Sequence, residues 1–455
     1  MEAPQAHFRT PHMTTFQKAL RGLDAGRMDA KVNDAACKLP FPPETGGFDL
    51  KRRDVLKSLG TGLAAGLLPW SGASAGFPAL KGYLRTNWSR DPFAFGSYSY
   101  MAKGSWNRDR KKIEAPVEGR LFFAGEAVFP DHNGTVHAAY ESGQRTAGTV
   151  LEHDIRKIAI IGAGMSGLSA AHRLSQQGLD VSVFEARNRI GGRVWTDHSL
   201  GIPLDLGGSW IHGIDGNPLT ALADSAGQQR VATDDSFVMR GKDGRKMPDS
   251  AAPGWLWNVL SIQHDAAADF SQLNKLAYLV QSDYEGPDVI FPQGYTPIFA
   301  TLKGPYKTQL STVVRRVNAD ASGVSLDFQT GDSQRFDAVI VTVPLGVLKQ
   351  GAIAFNPGLP AQKLDAIARI GMGTLDKVYL QFDAPFWDKD ITWIATPEND
   401  LPRGHFNQWL NLHKYIGEPV IMAFNGGSAA LELADLSDEA MVRRGMQTLQ
   451  AAYPG

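Results

Sequence analysis

Gly162, Gly164, Gly167 and Glu185 have the types and spacing that most directly specify chemistry in this chain. Glycines at that interval let a backbone approach a pyrophosphate, and an acid about twenty residues further on accepts hydrogen bonds from ribose hydroxyls. Next comes Ala186-Arg187-Asn188-Arg189-Ile190-Gly191-Gly192-Arg193, a second glycine turn whose three arginines suit charge-assisted bonds to a diphosphate. A third stretch, Asp205 to Gly213, offers Gly207 and Gly208 for close backbone approach, then Ser209, Trp210 and His212.

These residues need a scaffold, and the flanking pattern supplies one. Lys157–Ile161 is a short apolar, β-branched run suited to a buried parallel strand. Ser166 falls in the first turn of a helix patterned by Leu168, Ala171, Leu174 and Ser175 and stopped by Gly178. Val181–Phe184 predicts a second strand that delivers Glu185. Strand, turn, helix and strand in this order make a βαβ site for a dinucleotide, with the helix N-terminus favouring phosphate charge.

The glycine fingerprint with Glu185, the Gly-Gly-Arg turn and the Gly-Gly-Ser-Trp-Ile-His-Gly stretch together resemble the flavin-dependent amine oxidases, polyamine oxidases more than the mitochondrial monoamine type. The resemblance spans most of residues 77–455 and implies an α/β fold: a Rossmann-like FAD-binding domain of the GR2 type with a second, α+β substrate domain. It assigns the cofactor contacts to Gly162, Gly164, Ser166, Gly167, Glu185, Ala186, Arg187, Gly192, Arg193, Gly208, Ser209 and Trp210. Val314 would touch the adenine, and Trp88, Gly125, Glu126, Thr135 and Val136 would complete the contacts. Lys377 matches a lysine that holds a water against flavin N5, Tyr98 a wall of the amine slot, and His212 a position near the substrate nitrogen. Read without the resemblance, Lys377 is a strand lysine facing solvent, and His212 a histidine satisfied by backbone in a turn. Thr135 stands where monoamine-type enzymes place a second tyrosine, and Ser97 where they carry the cysteine bonded to flavin, so the FAD is expected to be non-covalent. The implied reaction is oxidation of an amine to imine and aldehyde, with dioxygen reduced to hydrogen peroxide.

The order of the pieces departs from the family. Leu84–Tyr100, Gly119–Ala127 and the helix start at Gly134–Gly143 resemble the segment that ordinarily closes the chain, yet here they precede the fingerprint. The expected organisation is residues 76–152 as that closing segment, 153–215 and 288–346 as the FAD domain, and 216–287 and 347–455 as the substrate domain. This is a circular permutation of the family pattern; the competing account is a rearranged gene whose product does not fold. Residues 254–281 read as a helix, within a roof over the pocket shorter than the family's.

Residues 1–51 read as a disordered leader. Lys51-Arg52-Arg53-Asp54-Val55-Leu56-Lys57 opens a twin-arginine signal over residues 52–75, with an apolar run from Leu59 to Trp70 and small residues Ala73-Ser74-Ala75 at the cleavage site. The expected partners are therefore the Tat export machinery, a small amine and dioxygen, with a periplasmic location and no stable membrane anchor. A net charge of −1 over 455 residues argues against a nucleic-acid surface. The single cysteine, Cys37, lies in the leader, and the eleven histidines show no metal-ligand spacing. Two rival functions remain: an L-amino acid oxidase of the same fold, and a flavin-binding protein without turnover.

Overall fold

Five short parallel strands carry the nucleotide-binding end of the molecule, in the spatial order Lys307–Gln309, Asp180–Phe184, Lys157–Ile161, Ala338–Val341, Leu121–Phe123. The computed structural model describes residues 77–279 and 284–454, all within one unit, Ala65–Gly455. The twin arginines, the apolar run, the cleavage site and Cys37 lie outside the described residues.

The three middle strands are buried on both faces because, past the exposed Lys157 and Asp180 at their starts, they are almost wholly apolar, whereas the edge strand Lys307–Gln309 is polar and largely exposed. Ile158 and Ile160 pack into one core cluster while Ala159 and Ile161 pack into another, following the period-2 alternation of a strand. Helices Val136–Leu151 and Met165–Gln176 cover the first face. Their contact is close: a Cβ on Gly143 would sit 2.2 Å from the Ser166 carbonyl oxygen, so only glycine fits there. A four-stranded sheet built from Val314–Asp320, Gly323–Phe328, Ser333–Phe336 and Ala354–Asn356 joins the second cluster.

A seven-stranded sheet forms the other lobe, in the order Leu80–Arg85, Leu375–Phe382, Val420–Gly426, Gln408–Asn411, Trp393–Ala395, Phe237–Arg240, Lys246–Met247. Helix Asp438–Ala452 packs on it through Met441, Val442, Met446 and Leu449. Trp387 and Trp409 are core residues there, and Trp393 is half-buried. The segment ahead of the fingerprint thus gives an edge strand to each main sheet: Leu121–Phe123 pairs in parallel with Ala338–Val341, and Leu80–Arg85 antiparallel with Leu375–Phe382. Phe77 and Tyr453, near the two ends of the described chain, both pack on Phe386, at ring separations of 4.1 and 5.9 Å.

Residues 254–281 are not one helix. Gly254–Asn258 is α-helical, Val259–Gln263 widens into a π-helical turn, and His264–Ala266 ends at Ala267, which takes a left-handed conformation with φ +52°. Short helical pieces follow at Phe270–Gln272 and Lys275–Leu279, and the last two residues of the expected helix lie outside the described residues. Tertiary hydrogen bonds break the helix: Thr374 N donates to the Ala267 carbonyl, Lys103 N to that of Gln272, and Asn274 N to that of Met101. Strand Val314–Asp320 begins beyond Ser311, which has φ +53°, and Thr312, whose N donates to the Glu185 carbonyl.

Candidate active site

The glycine turn joins strand Lys157–Ile161 to helix Met165–Gln176, whose N-cap is Gly164. Gly162 has φ +109°, and a Cβ on Gly167 would lie 2.0 Å from the Gly162 carbonyl oxygen, so the turn is tight by necessity. Glu185, delivered by the neighbouring strand, accepts from Ala163 N and Arg187 N, both at 2.8 Å. The Ser166 hydroxyl, in the first helical turn, is buried with no hydrogen-bond partner.

The second glycine turn lies against the first. Gly191 bridges to Gly164, and a Cβ on Gly192 would come 3.4 Å from the Gly164 Cα. The three arginines diverge in role: Arg187 pairs with Asp91 at 2.8 Å, Arg189 stacks on Trp195 with a buried Nη2 that has no partner, and Arg193 donates to Ser97 O and to Glu126 Oε1. Glu126 also accepts from the Ser99 hydroxyl at 2.6 Å and from Gly134 N. Burial opposes its charge, but Arg193, Ser99 and Arg110 outweigh it and hold the carboxyl below its ordinary range. A recess beside it is lined by Gly125, Glu126, Arg193 and Val341. Unpaired donors at a helix N-terminus and in an arginine turn, with Glu185 set one strand away, fit the pyrophosphate and ribose of FAD.

Tertiary packing brings Lys377 to the Gly207–Ser209 turn. Its strand alternation is overridden, since Asp376 and Lys377 are each only 5% exposed, and the solvent-facing reading fails. Lys377 Nζ donates to Asp205 O at 2.9 Å, Gly207 O at 2.7 Å and Ser209 Oγ at 2.5 Å, which uses all three of its N–H groups. Burial pulls the Lys377 ammonium down to about 7 and lifts the Asp205 carboxyl to about 6, each partly restrained by the other's charge. Gly208 faces the start of helix Val136–Leu151, where a Cβ would meet Val136 Cγ2 at 2.7 Å. Val314 and Trp88 are buried, with Trp88 N donating to Asp376.

An aromatic wall runs past the lysine. Trp210 stacks near Trp393 at 6.4 Å and His212 at 6.1 Å, and Lys377 Nζ lies 5.8 Å above the Trp210 ring and 5.9 Å above Phe424. His212 is half-exposed and its Nδ1 meets the Asp288 carboxylate at 2.9 Å. Tyr98 lies against Gly134 and donates to the His264 carbonyl at 2.6 Å. Thr135 is the N-cap of helix Val136–Leu151: its hydroxyl accepts from Ala138 N and donates to His132 O. His264 carries no motif and escapes sequence reading, and Asp288 is legible only as the start of the 288–346 segment; contacts far apart in the chain place both side chains.

Two buried histidines set an acid limit on stability. Burial lowers His137 to about 3 and His264 to about 4 from 6.5. The folded state therefore binds fewer protons than the unfolded below pH 6.5, and their contribution, complete above 6.5, is lost as pH falls towards 4. Stability is expected to drop by up to about 1.4 kcal/mol per pH unit for each histidine. Urea midpoints compared at pH 7 and pH 5 test this, and His264→Phe should flatten the slope.

A family model described as flavin containing amine oxidoreductase matches residues 54–151, 165–256 and 267–455, well over half of the chain. The sequence is 30% identical over 390 residues to probable polyamine oxidase 4 of Arabidopsis thaliana, covering 72% of this chain and 76% of that protein. It is 30% identical to lysine-specific histone demethylase 1 homolog 2 of Oryza sativa subsp. japonica, covering 74% of this chain and 50% of that protein. Among solved structures, cyclohexylamine oxidase from Brevibacterium oxydans IH-35A matches with a TM-score of 0.53 and 22% identity, over 66% of this chain and 81% of that one. Given these matches and an FAD-shaped set of donors, the chain belongs to the flavin-containing amine oxidases, with FAD as its cofactor.

Proposed function

We propose that the protein oxidises small amines of the polyamine type to imines, which hydrolyse to aldehydes while dioxygen becomes hydrogen peroxide. The buried Lys377, fixed against the Gly207–Ser209 turn and flanked by Trp210 and Phe424, carries this reading. FAD, when bound, would supply the two-electron redox chemistry between the amine and dioxygen. The chain's part is placement: Glu185 and the glycine turns hold the nucleotide, Trp210, Phe424 and Tyr98 offer aromatic faces that attract a cation, and Lys377 pins the Gly207–Ser209 turn with all three of its N–H groups. The polyamine oxidases among the relatives favour a polyamine substrate.

The chain order fits a circular permutation that retains activity. Residues 77–152 supply an edge strand to each main sheet, the ends of the described chain meet on Phe386, and re-cutting at surface termini is tolerated. A gene re-ordered to begin at residue 153 and to run from 455 into 77–152 should yield a flavoprotein with the same spectrum and activity; insoluble or colourless product would count against the permutation. The twin-arginine signal would export the folded, FAD-loaded protein to the periplasm, which fractionation of a twin-lysine variant tests.

The functional reading is tested by adding spermidine, spermine, simple monoamines and L-amino acids to the purified flavoprotein without oxygen. Bleaching by an amine and peroxide on aeration are expected. Bleaching by L-amino acids alone, or by nothing, sinks the proposal.

A further inference from the structure

His264 stands in the substrate lobe with a hydrogen-bonding atom that nothing in the chain uses. It is 8% exposed, and it follows the π-helical turn Val259–Gln263, a geometry common at functional sites. Its Nδ1 lies 2.6 Å from Gln408 Oε1, an oxygen that only accepts, so the ring proton sits on Nδ1 and Nε2 keeps a bare lone pair. Nε2 is buried and has no partner. Buried acceptors are nearly always satisfied, and an unmatched one in a native fold calls for an explanation.

The neighbours of the ring supply one. The His264 carbonyl receives the Tyr98 hydroxyl, its ring centroid lies 5.9 Å from that of Phe424, and its Cδ2 is against Gly426, where a Cβ would come within 3.0 Å. Phe424 is paired across the sheet with Lys377 and lies 5.9 Å from its Nζ. The imidazole therefore adjoins both the aromatic wall and the tyrosine of the candidate site. Burial keeps it uncharged near neutrality, which suits an acceptor and not a proton carrier.

We infer that His264 Nε2 accepts a hydrogen bond from an N–H of the substrate amine, making His264 a specificity residue. The inference rests on the amine oxidase reading and adds the group that recognises nitrogen. Gln408 fixes the tautomer, and Tyr98 fixes the backbone that carries the ring.

The test uses the holoenzyme labelled with ¹⁵N-histidine and titrated with spermidine and with cyclohexylamine under anaerobic conditions. The Nε2 resonance of His264, assigned by its loss in His264→Gln, is expected to move upfield as the amine saturates. In turnover, His264→Phe should raise KM about tenfold, the loss of one neutral hydrogen bond, with kcat changed much less, and His264→Gln, which keeps an acceptor, should restore most of it. An amine that bleaches the flavin while the resonance stays fixed overturns this inference alone. A shift without bleaching overturns the oxidase reading alone, and neither response overturns both. The wild-type titration decides the matter even where the phenylalanine variant does not fold.

Discussion

Lys377→Met is expected to lower kcat/KM for amines about a hundredfold, the scale of misplacing active-site groups by about 1 Å, and to destabilise the fold by about 3–5 kcal/mol. The stability loss follows from what Nζ holds. Two backbone carbonyls and the Ser209 hydroxyl lose the ammonium, and the buried Asp205 carboxyl loses its compensating charge. The carbonyls keep other donors, Tyr379 Oη and Ser209 Oγ on Asp205 O and Ser209 Oγ on Gly207 O, so each costs less than the about 1–3 kcal/mol of an unsatisfied acceptor and the carboxyl dominates. The activity loss follows from the same contacts, because that turn carries Gly208, packed on Val136 at the start of the helix, and Trp210 of the aromatic wall. Arginine should not rescue it, since a planar guanidinium cannot replace an ammonium enclosed by three acceptors. Steady-state kinetics and thermal unfolding of the same preparation measure both effects; a variant with wild-type kcat/KM would remove Lys377 from the site.

The second large effect is on cofactor binding. Gly167→Ala should give a protein that purifies colourless, with FAD affinity at least about a hundredfold weaker, because the fingerprint needs close helix–strand packing at its last glycine. The added Cβ would lie 2.0 Å from the Gly162 carbonyl oxygen and 3.0 Å from Thr342 Oγ1. Backbone must move to relieve this, and the movement turns Ala163 N from Glu185 and carries the Ser166 hydroxyl away from where phosphate would bind. Overpacking of this kind costs about 1–3 kcal/mol in stability as well. Gly254→Ala is the control: nothing lies within 4 Å of its added Cβ, so flavin content should not change. The flavin-to-protein absorbance ratio and calorimetric titration with FAD read the outcome. Full flavin in Gly167→Ala would mean that the turn is not the nucleotide site.

Neither prediction was equally visible in the sequence. The glycine turn was, because strand, turn, helix and acid occupy one short stretch whose local pattern and local geometry agree, and the structure sets Glu185 beside the turn, where it accepts from Ala163 N. Lys377 was marked by the family resemblance alone, because an alternating strand cannot say which face of it meets another lobe. The helix expected over 254–281 failed for a related reason: its residues suit a helix, but hydrogen bonds from Thr374, Lys103 and Asn274 take its carbonyls or break its course. The side-chain contacts of His264 and Asp288 leave no local signature, since their partners, Gln408 and His212, lie 144 and 76 residues away.

The sequence by itself determined the glycine turn, the strands around it and the arginine turn. These are short-range features, set by glycine conformation, apolar periodicity and residue spacing. Tertiary structure alone decided that residues 77–152 complete both main sheets, that a strand lysine is buried with all three donors engaged, and that an imidazole near Tyr98 keeps a free lone pair. Each depends on burial and on pairing between distant segments, which exist only once the two lobes have closed on one another.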